Sequence, residues 1–214
     1  MTHVSTQAAF WNDLAETYAA KPVENPGAFE RKIQITKSQM RPEHVVLDIG
    51  CGTGSLALIL ADHAREMHGL DFSSEMIRIA KDKAAEQGVG NVCFHQGSFD
   101  ASFVMFEDGS LDGICAYSIL HLVPDRVAAL RQIFRLLKPG GFFISSTVCL
   151  GGSWVPWGVL LTAMRWVGKA PPVSIVSKAE LVEEMRAAGF VAIEAPDVGA
   201  EKTCGFVVAQ KPVG

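Results

Sequence analysis

The densest chemistry in this sequence lies in a glycine turn and the aspartates on either side of it. In VVLDIGCGTGS, Val45 to Ser55, an apolar run ends in Asp48 and Ile49 and is followed by Gly50, Gly52 and Gly54. Alternating glycines let the main chain bend tightly and let a ligand reach van der Waals contact with it. A helix starting after them points its free N–H groups at that ligand. A dinucleotide site requires GxGxxG, so that pyrophosphate rests on the helix N-terminus. Here the order is GxGxG, and Ser55 holds the place of the third dinucleotide glycine. Asp48 is awkward beside a pyrophosphate and suits a ligand that carries an ammonium group. Asp71 follows Gly50 by 21 residues, a spacing at which an acid accepts hydrogen bonds from ribose hydroxyls.

Two further segments carry candidate chemistry. His121, in SILHLVPD, has a side chain whose pKa suits proton removal at neutral pH. The same position equally suits a histidine that fixes a loop or caps the next helix. The run GGSWVPWGVLLTAMRWVG, with Trp154, Trp157 and Trp166, is interrupted by Pro156 and Arg165 and is too short to span a membrane. It reads either as a core helix or as a lid over about residues 150–170 that lines an apolar substrate pocket.

These residues must be held by a regular framework. Apolar spacing predicts a helix from Thr6 that ends at Lys21-Pro22, and a second over AFERKIQITKSQM that Pro42 stops. From Val45 onward, strands alternate with helices. The strands are VVLDI, EMHGLDF, VCFHQGSF, LDGICAYSI and FFISSTV, and the helix DRVAALRQIFRLL is expected to end at Pro139-Gly140-Gly141. Ser73 or Ser74 caps the helix after Asp71, with Glu75 in its first turn and Gly88 at its end. Ser177 and Glu180 form a capping-box pattern, and Gly189 ends that helix. VAIEAPDV and TCGFVVAQ read as an antiparallel terminal pair. The expectation is an α/β chain: a Rossmann-like, doubly wound, mostly parallel sheet of about seven strands with helices on both faces and an antiparallel C-terminal strand. Residues 1–214 read as one domain, with residues 1–41 as an N-terminal helical cover.

Composition narrows the function classes. At 214 residues, 49% hydrophobic and 20% charged, the chain is long enough for a full core and too apolar for disorder. A net charge of −4 argues against a nucleic-acid partner, whose phosphates need clustered Lys and Arg. The mildly basic window Lys21 to Arg41, with five positive and two negative residues, reads as a solvated helical face. Cys51, Cys93, Cys115, Cys149 and Cys204 are odd in number and widely spaced. With no CxxC or Cys/His cluster a structural zinc site is not expected, and a reducing cytoplasm is the expected compartment.

A ribose, a cationic tail and no required phosphate describe S-adenosylmethionine. The ordered set DIGCGTGS, GLDFSSEMI, QGSF, LDGICAYSILHLVPD and RLLKPGGFFI resembles the class I S-adenosylmethionine-dependent methyltransferase family of small-molecule type, over about residues 6–148. The resemblance implies that Gly50, Cys51 and Gly52 lie along the methionine part of the cofactor, with Asp48 behind them. It implies that Asp71 holds the ribose hydroxyls and that Phe72 and Met76 cover the adenine. Many relatives carry an acid after the third strand; this chain has Ser98 there, flanked by Gly97 and Phe99, so a backbone or hydroxyl contact is expected instead. Tyr117 is implied to face the cofactor and Tyr18 to close over it. Trp11, Trp154 and Trp157 are the expected substrate contacts, and Tyr18 or Trp11 can stabilise a sulfonium through an aromatic face.

The implied reaction is in-line methyl transfer to a small, apolar or aromatic acceptor, giving S-adenosylhomocysteine, with no metal and no nucleic-acid or membrane-spanning partner. Ala116-Tyr117-Ser118-Ile119 lacks the Asn/Asp-Pro-Pro-aromatic motif of the family's nucleic-acid amino methylases. Thr147 to Gly151 lacks the acids of its metal-dependent catechol branch. Two alternatives stand beside this reading: a non-catalytic binding protein with the same fold, and a nicotinamide oxidoreductase.

Overall fold

In the computed structural model of the protein, residues 3–100, 102–151, 157–158 and 173–214 are described. Seven strands form one sheet in the order β3-β2-β1-β4-β5-β7-β6. They are β1 (Val45–Ile49), β2 (Glu66–Asp71), β3 (Val92–Gln96), β4 (Leu111–Tyr117), β5 (Leu137–Val148), β6 (Val191–Glu194) and β7 (Cys204–Gln210). The first five pair in parallel, and β7 lies antiparallel between β5 and β6. This is the doubly wound sheet the sequence predicts. The order reverses direction between β1 and β4, and in such sheets that reversal opens a crevice at the strands' carboxyl ends.

Strand alternation builds the two faces. Val46, Met67, Phe94 and Cys115 bury on one side, against α2 (Pro26–Gln39), α3 (Ser55–Leu60) and α4 (Ser74–Gln87). Leu47, Ile49, Leu70 and Ile114 bury on the other, against α5 (Arg126–Leu136) and α6 (Lys178–Ala187). A two-residue period with both faces covered gives the near-continuous apolar strands of a parallel sheet.

The helix ends follow local chemistry. Asn25 caps α2 by accepting from the Ala28 N–H at 2.9 Å, and Pro26 sits where a missing N–H costs nothing. Ser73 caps α4, and Gly88 ends it in a left-handed conformation. Ser177 and Glu180 form the complete capping box of α6. Arg126 grips Glu184 with two hydrogen bonds, 2.6 and 2.7 Å, and so ties α5 to α6.

The boundary between α5 and β5 differs from expectation. The helix α5 ends at Leu136, before Pro139, and Lys138 to Gly141 belong to β5 as an irregularity between the pairs Leu111↔Leu137 and Gly113↔Phe142. The cause is register: β5 enters the ladder at Leu137, loops out its extra residues and re-enters at Phe142, a bulge that helical periodicity does not register.

α1 (His3–Ala20) packs outside this framework, on α4. Ala15 is wholly buried with Met76 and Ile79, and Trp11 covers that contact. Polar anchors accompany it: Asn12 Oδ1 accepts from Ser73 Oγ at 2.7 Å and from the Glu75 N–H at 3.3 Å, and Glu16 pairs with Arg78.

Candidate active site

At the carboxyl ends of β1 and β2 the chain builds a cleft of about 310 Å³. Its floor starts with the turn after β1. Gly50 and Cys51 both donate their N–H to the Leu70 carbonyl, at 2.8 and 3.0 Å, which draws the turn against the end of β2. Gly50, Gly52 and Gly54 have φ of +67°, +53° and +75°, the left-handed region in which a side chain is strained. Asp71 then spans two elements. Its Oδ2 accepts from the Gly52 N–H at 3.0 Å and its Oδ1 from the Ser73 N–H at 2.9 Å. Burial raises its pKa, and hydrogen bonds from the Ser73, Gly52 and Phe72 main chain oppose that rise.

The structure brings Trp11, Gly50, Asp71, Phe72, Gly97, Ser98 and Phe99 to the walls of this one cleft. Around the turn, Tyr18 is half exposed and lies over Gly52, its Cε1 3.8 Å from where a Cβ on Gly52 would stand. Met76 is buried below, with Sδ 4.0 Å from the same point. Trp11 meets Tyr18 edge to face at 6.3 Å. The Cys51 thiol is turned inward, 3.7 Å from the Gly52 carbonyl, and burial holds it protonated. Asp48 stands behind the turn, 2% exposed. Burial and then the charge of Asp71 push its pKa up from 3.8 to about 8, and its Oδ2 has no hydrogen-bond partner among the described residues.

Other predicted residues lie elsewhere. Tyr117 turns its hydroxyl onto α2, 2.8 Å from Thr36 Oγ1 and 3.3 Å from the Lys32 carbonyl, and does not line the cleft. Strand period explains the contact with α2, since Tyr117 follows Cys115 onto that face. His121 is buried away from the cleft walls, and desolvation pushes its pKa down to about 4, so its ring is neutral at pH 7. Its carbonyl accepts from the Ser174 N–H at 2.7 Å. Its Nδ1 and the Trp157 Nε1 are both buried without a hydrogen-bond partner among the described residues. Trp157 does not line the cleft. Trp154 and most of the span 150–170 lie outside the described residues.

Several walls went unread in the sequence: Gln7, Ile119, Leu122, Val123, Pro124 and Asp100. Asp100 is an acid after the third strand, two residues beyond Ser98. Its Oδ1 accepts from the Ser102 N–H at 2.9 Å. Among the described cleft-lining side chains, Asp71 and Asp100 alone are ionisable.

Comparison with known proteins agrees with this geometry. Residues 41–190 match the family model described as a methyltransferase domain. An uncharacterized methyltransferase, YcgJ of Bacillus subtilis, is 37% identical over 130 residues, covering 61% of this chain and 50% of that protein. A demethylmenaquinone methyltransferase of Lactococcus lactis is 34% identical over 173 residues, 70% of this chain and 66% of that one. The chain thus spans about half to two thirds of these relatives' length. The crystal structure of YcgJ superposes with a TM-score of 0.70 at 22% identity, covering 86% of this chain and all of that one, and shows the same fold. With a family model matched over most of its length, on a sheet of this order and a glycine turn of this shape, the chain belongs to the class I S-adenosylmethionine-dependent methyltransferases.

Proposed function

We propose that this chain transfers the methyl group of S-adenosylmethionine to a small, largely apolar acceptor. The observation that carries the reading is one cleft in which Asp71 and Gly50 share walls with Trp11, Ile119, Leu122 and Val123. Apolar walls with a few placed polar groups suit a small ligand. The demethylmenaquinone methyltransferase relative favours the same class of acceptor. No helix among the described residues is long and apolar enough to cross a membrane.

The residues present fit the cofactor. Asp48 offers a buried carboxyl oxygen with no partner among the described residues, which a ligand ammonium would satisfy. Gly50 brings bare main chain to the cleft, with Gly52 two residues on in the same left-handed turn, and Asp71 keeps acceptor capacity beyond its two main-chain bonds. S-adenosylmethionine, when bound, supplies a methyl group already activated by the positive charge on sulfur. The protein's part is then alignment and exclusion of water, a task for Trp11 and Tyr18 above the turn. His121, neutral and off the cleft walls, is not needed as a base when the acceptor brings its own nucleophile.

A binding measurement tests Asp48 in this role. Its pKa is raised on folding, so the folded chain holds a proton that the unfolded chain loses near 3.8. Its contribution to stability is therefore full below that value and falls as pH rises toward about 8. A cationic ligand reverses the preference. S-adenosylhomocysteine binding is expected to release about one proton near pH 7 and to tighten by up to about tenfold per pH unit between roughly pH 6 and 7.5. Asp48→Asn should flatten that dependence. Calorimetry in two buffers of different ionisation enthalpy reads the proton directly; no release would remove Asp48 from the site.

For the activity itself, methyl-labelled S-adenosylmethionine is incubated with a panel of hydroxylated quinones, phenols and hydrophobic amines. Label is expected in the organic extract, together with S-adenosylhomocysteine. Tight binding of S-adenosylhomocysteine without transfer to any acceptor would favour a non-catalytic binding protein, and preference for NADH would sink both readings.

A further inference from the structure

A second cluster of chemically competent side chains lies at the far edge of the sheet and lines no part of the cleft. β3 is an edge strand, paired in parallel with β2 in the register His68↔Cys93 and Leu70↔His95. Partners in register share a face, and so do residues two apart on a strand. Glu66 and His68 from β2 and Cys93 and His95 from β3 therefore project from one side of the sheet. One ligand atom each from Glu66, His68 and Cys93 lies within 4.8 Å of the others.

We infer that Glu66, His68 and Cys93 form a zinc(II) site that clips the edge strand to its neighbour, with His95 as the positioning residue for His68. Ligands at about 2.0–2.3 Å from one tetrahedral ion stand roughly 3.3–3.8 Å apart. His68 Nε2 and Glu66 Oε1 are already 3.2 Å apart. The other ring nitrogen of His68, Nδ1, lies 3.1 Å from His95 Nε2. Zinc-bound histidines are held in the same way, with the remote N–H donated to a fixed acceptor that sets tautomer and ring orientation. His95 stacks on His68 at 5.3 Å, and Phe106 meets the ring edge to face at 4.8 Å, so the ring has little freedom to turn. A thiolate, an imidazole and a carboxylate together select zinc over the oxygen-seeking magnesium and calcium. Cys93 is exposed and free, so the ion has a route in and room for water as fourth ligand.

The three ligands escape a motif search because they are divided between two strands, Glu66 and His68 on β2 and Cys93 on β3. A clip here also bears on the cleft. β3 runs directly into Gly97, whose N–H donates to the Asp71 carbonyl at 2.9 Å, and Gly97, Ser98 and Phe99 line the cleft.

Cobalt(II) serves as the test ion, since thiolate-bound cobalt absorbs through ligand-to-metal charge transfer. Titration of the reduced, chelator-treated chain is expected to give one equivalent of bound cobalt with that band, displaced by zinc. Cys93→Ser, at an exposed position, should abolish the band, and Cys204→Ser should keep it. His95→Gln should retain the band while weakening affinity about 10–100-fold. A melting curve under circular dichroism confirms that each variant folds. Absence of saturable binding, or a band that survives Cys93→Ser, overturns the assignment. S-adenosylhomocysteine binding measured on the same Cys93→Ser sample separates this result from the fate of the methyltransferase reading.

Discussion

Asp71→Ala is expected to weaken S-adenosylhomocysteine binding by at least about 100-fold, with hydrogen bonds to a charged group worth about 1.5–3 kcal/mol each. The carboxylate accepts from Gly52 at the turn after β1 and from Ser73 at the start of α4. Removing it strips two main-chain N–H groups of their acceptor and, in the proposed role, the ligand of its ribose partner. Asp71→Asn should fall between wild type and alanine, because an amide supplies one oxygen where two donors face it. Calorimetry gives the affinities, and a thermal melt separates lost binding from lost fold. An alanine variant that folds and binds within about threefold of wild type would show that Asp71 does not hold the nucleoside.

Gly50→Ala is the second large effect. At φ +67° an ideal Cβ would stand 2.7 Å from Ile119 Cγ1 and 2.8 Å from Ile119 Cβ. The left-handed conformation costs about 1–2 kcal/mol with a side chain, and overpacking adds about 1–3 kcal/mol. Ile119 is itself a cleft wall, so the clash is relieved by moving part of the site. Binding is expected to fall by about 30-fold or more. Gly88→Ala is the matched control: φ is +68° but nothing lies within 4 Å of the added carbon, so stability should drop by about 1 kcal/mol with affinity untouched. Equal affinities for the Gly50 and Gly88 variants would remove the clash with Ile119 from the account.

What was legible in the sequence follows from which interactions are local. Strand–helix alternation, the capping box at Ser177 and Glu180, and the glycine turn depend on neighbours in the chain, and all three have the expected form. The bulge at Lys138 to Gly141 depends on where β5 rejoins β4, which no window of β5 contains. The same holds for the cleft. Asp71 and Gly50 announce themselves by spacing, whereas Gln7 and Leu122 to Pro124 reach it only because distant segments fold over it. The contact of Tyr117 with α2 was open to a parity argument, since Val46, Asp48, Cys115 and Tyr117 alternate onto the same side of the sheet. The paired ligands of the sheet edge require the β2–β3 register, which appears only with the fold.

The docking of α1 has one more consequence. Ser73, whose N–H is held by Asp71, donates its hydroxyl to Asn12 Oδ1 on α1, and Gln7 and Trp11 of that helix form cleft wall. Glycine turn, carboxylate, helix cap and cover are thus linked in sequence through Asp71 and Ser73. Floor and cover therefore meet at the start of α4, where one serine is held from both sides.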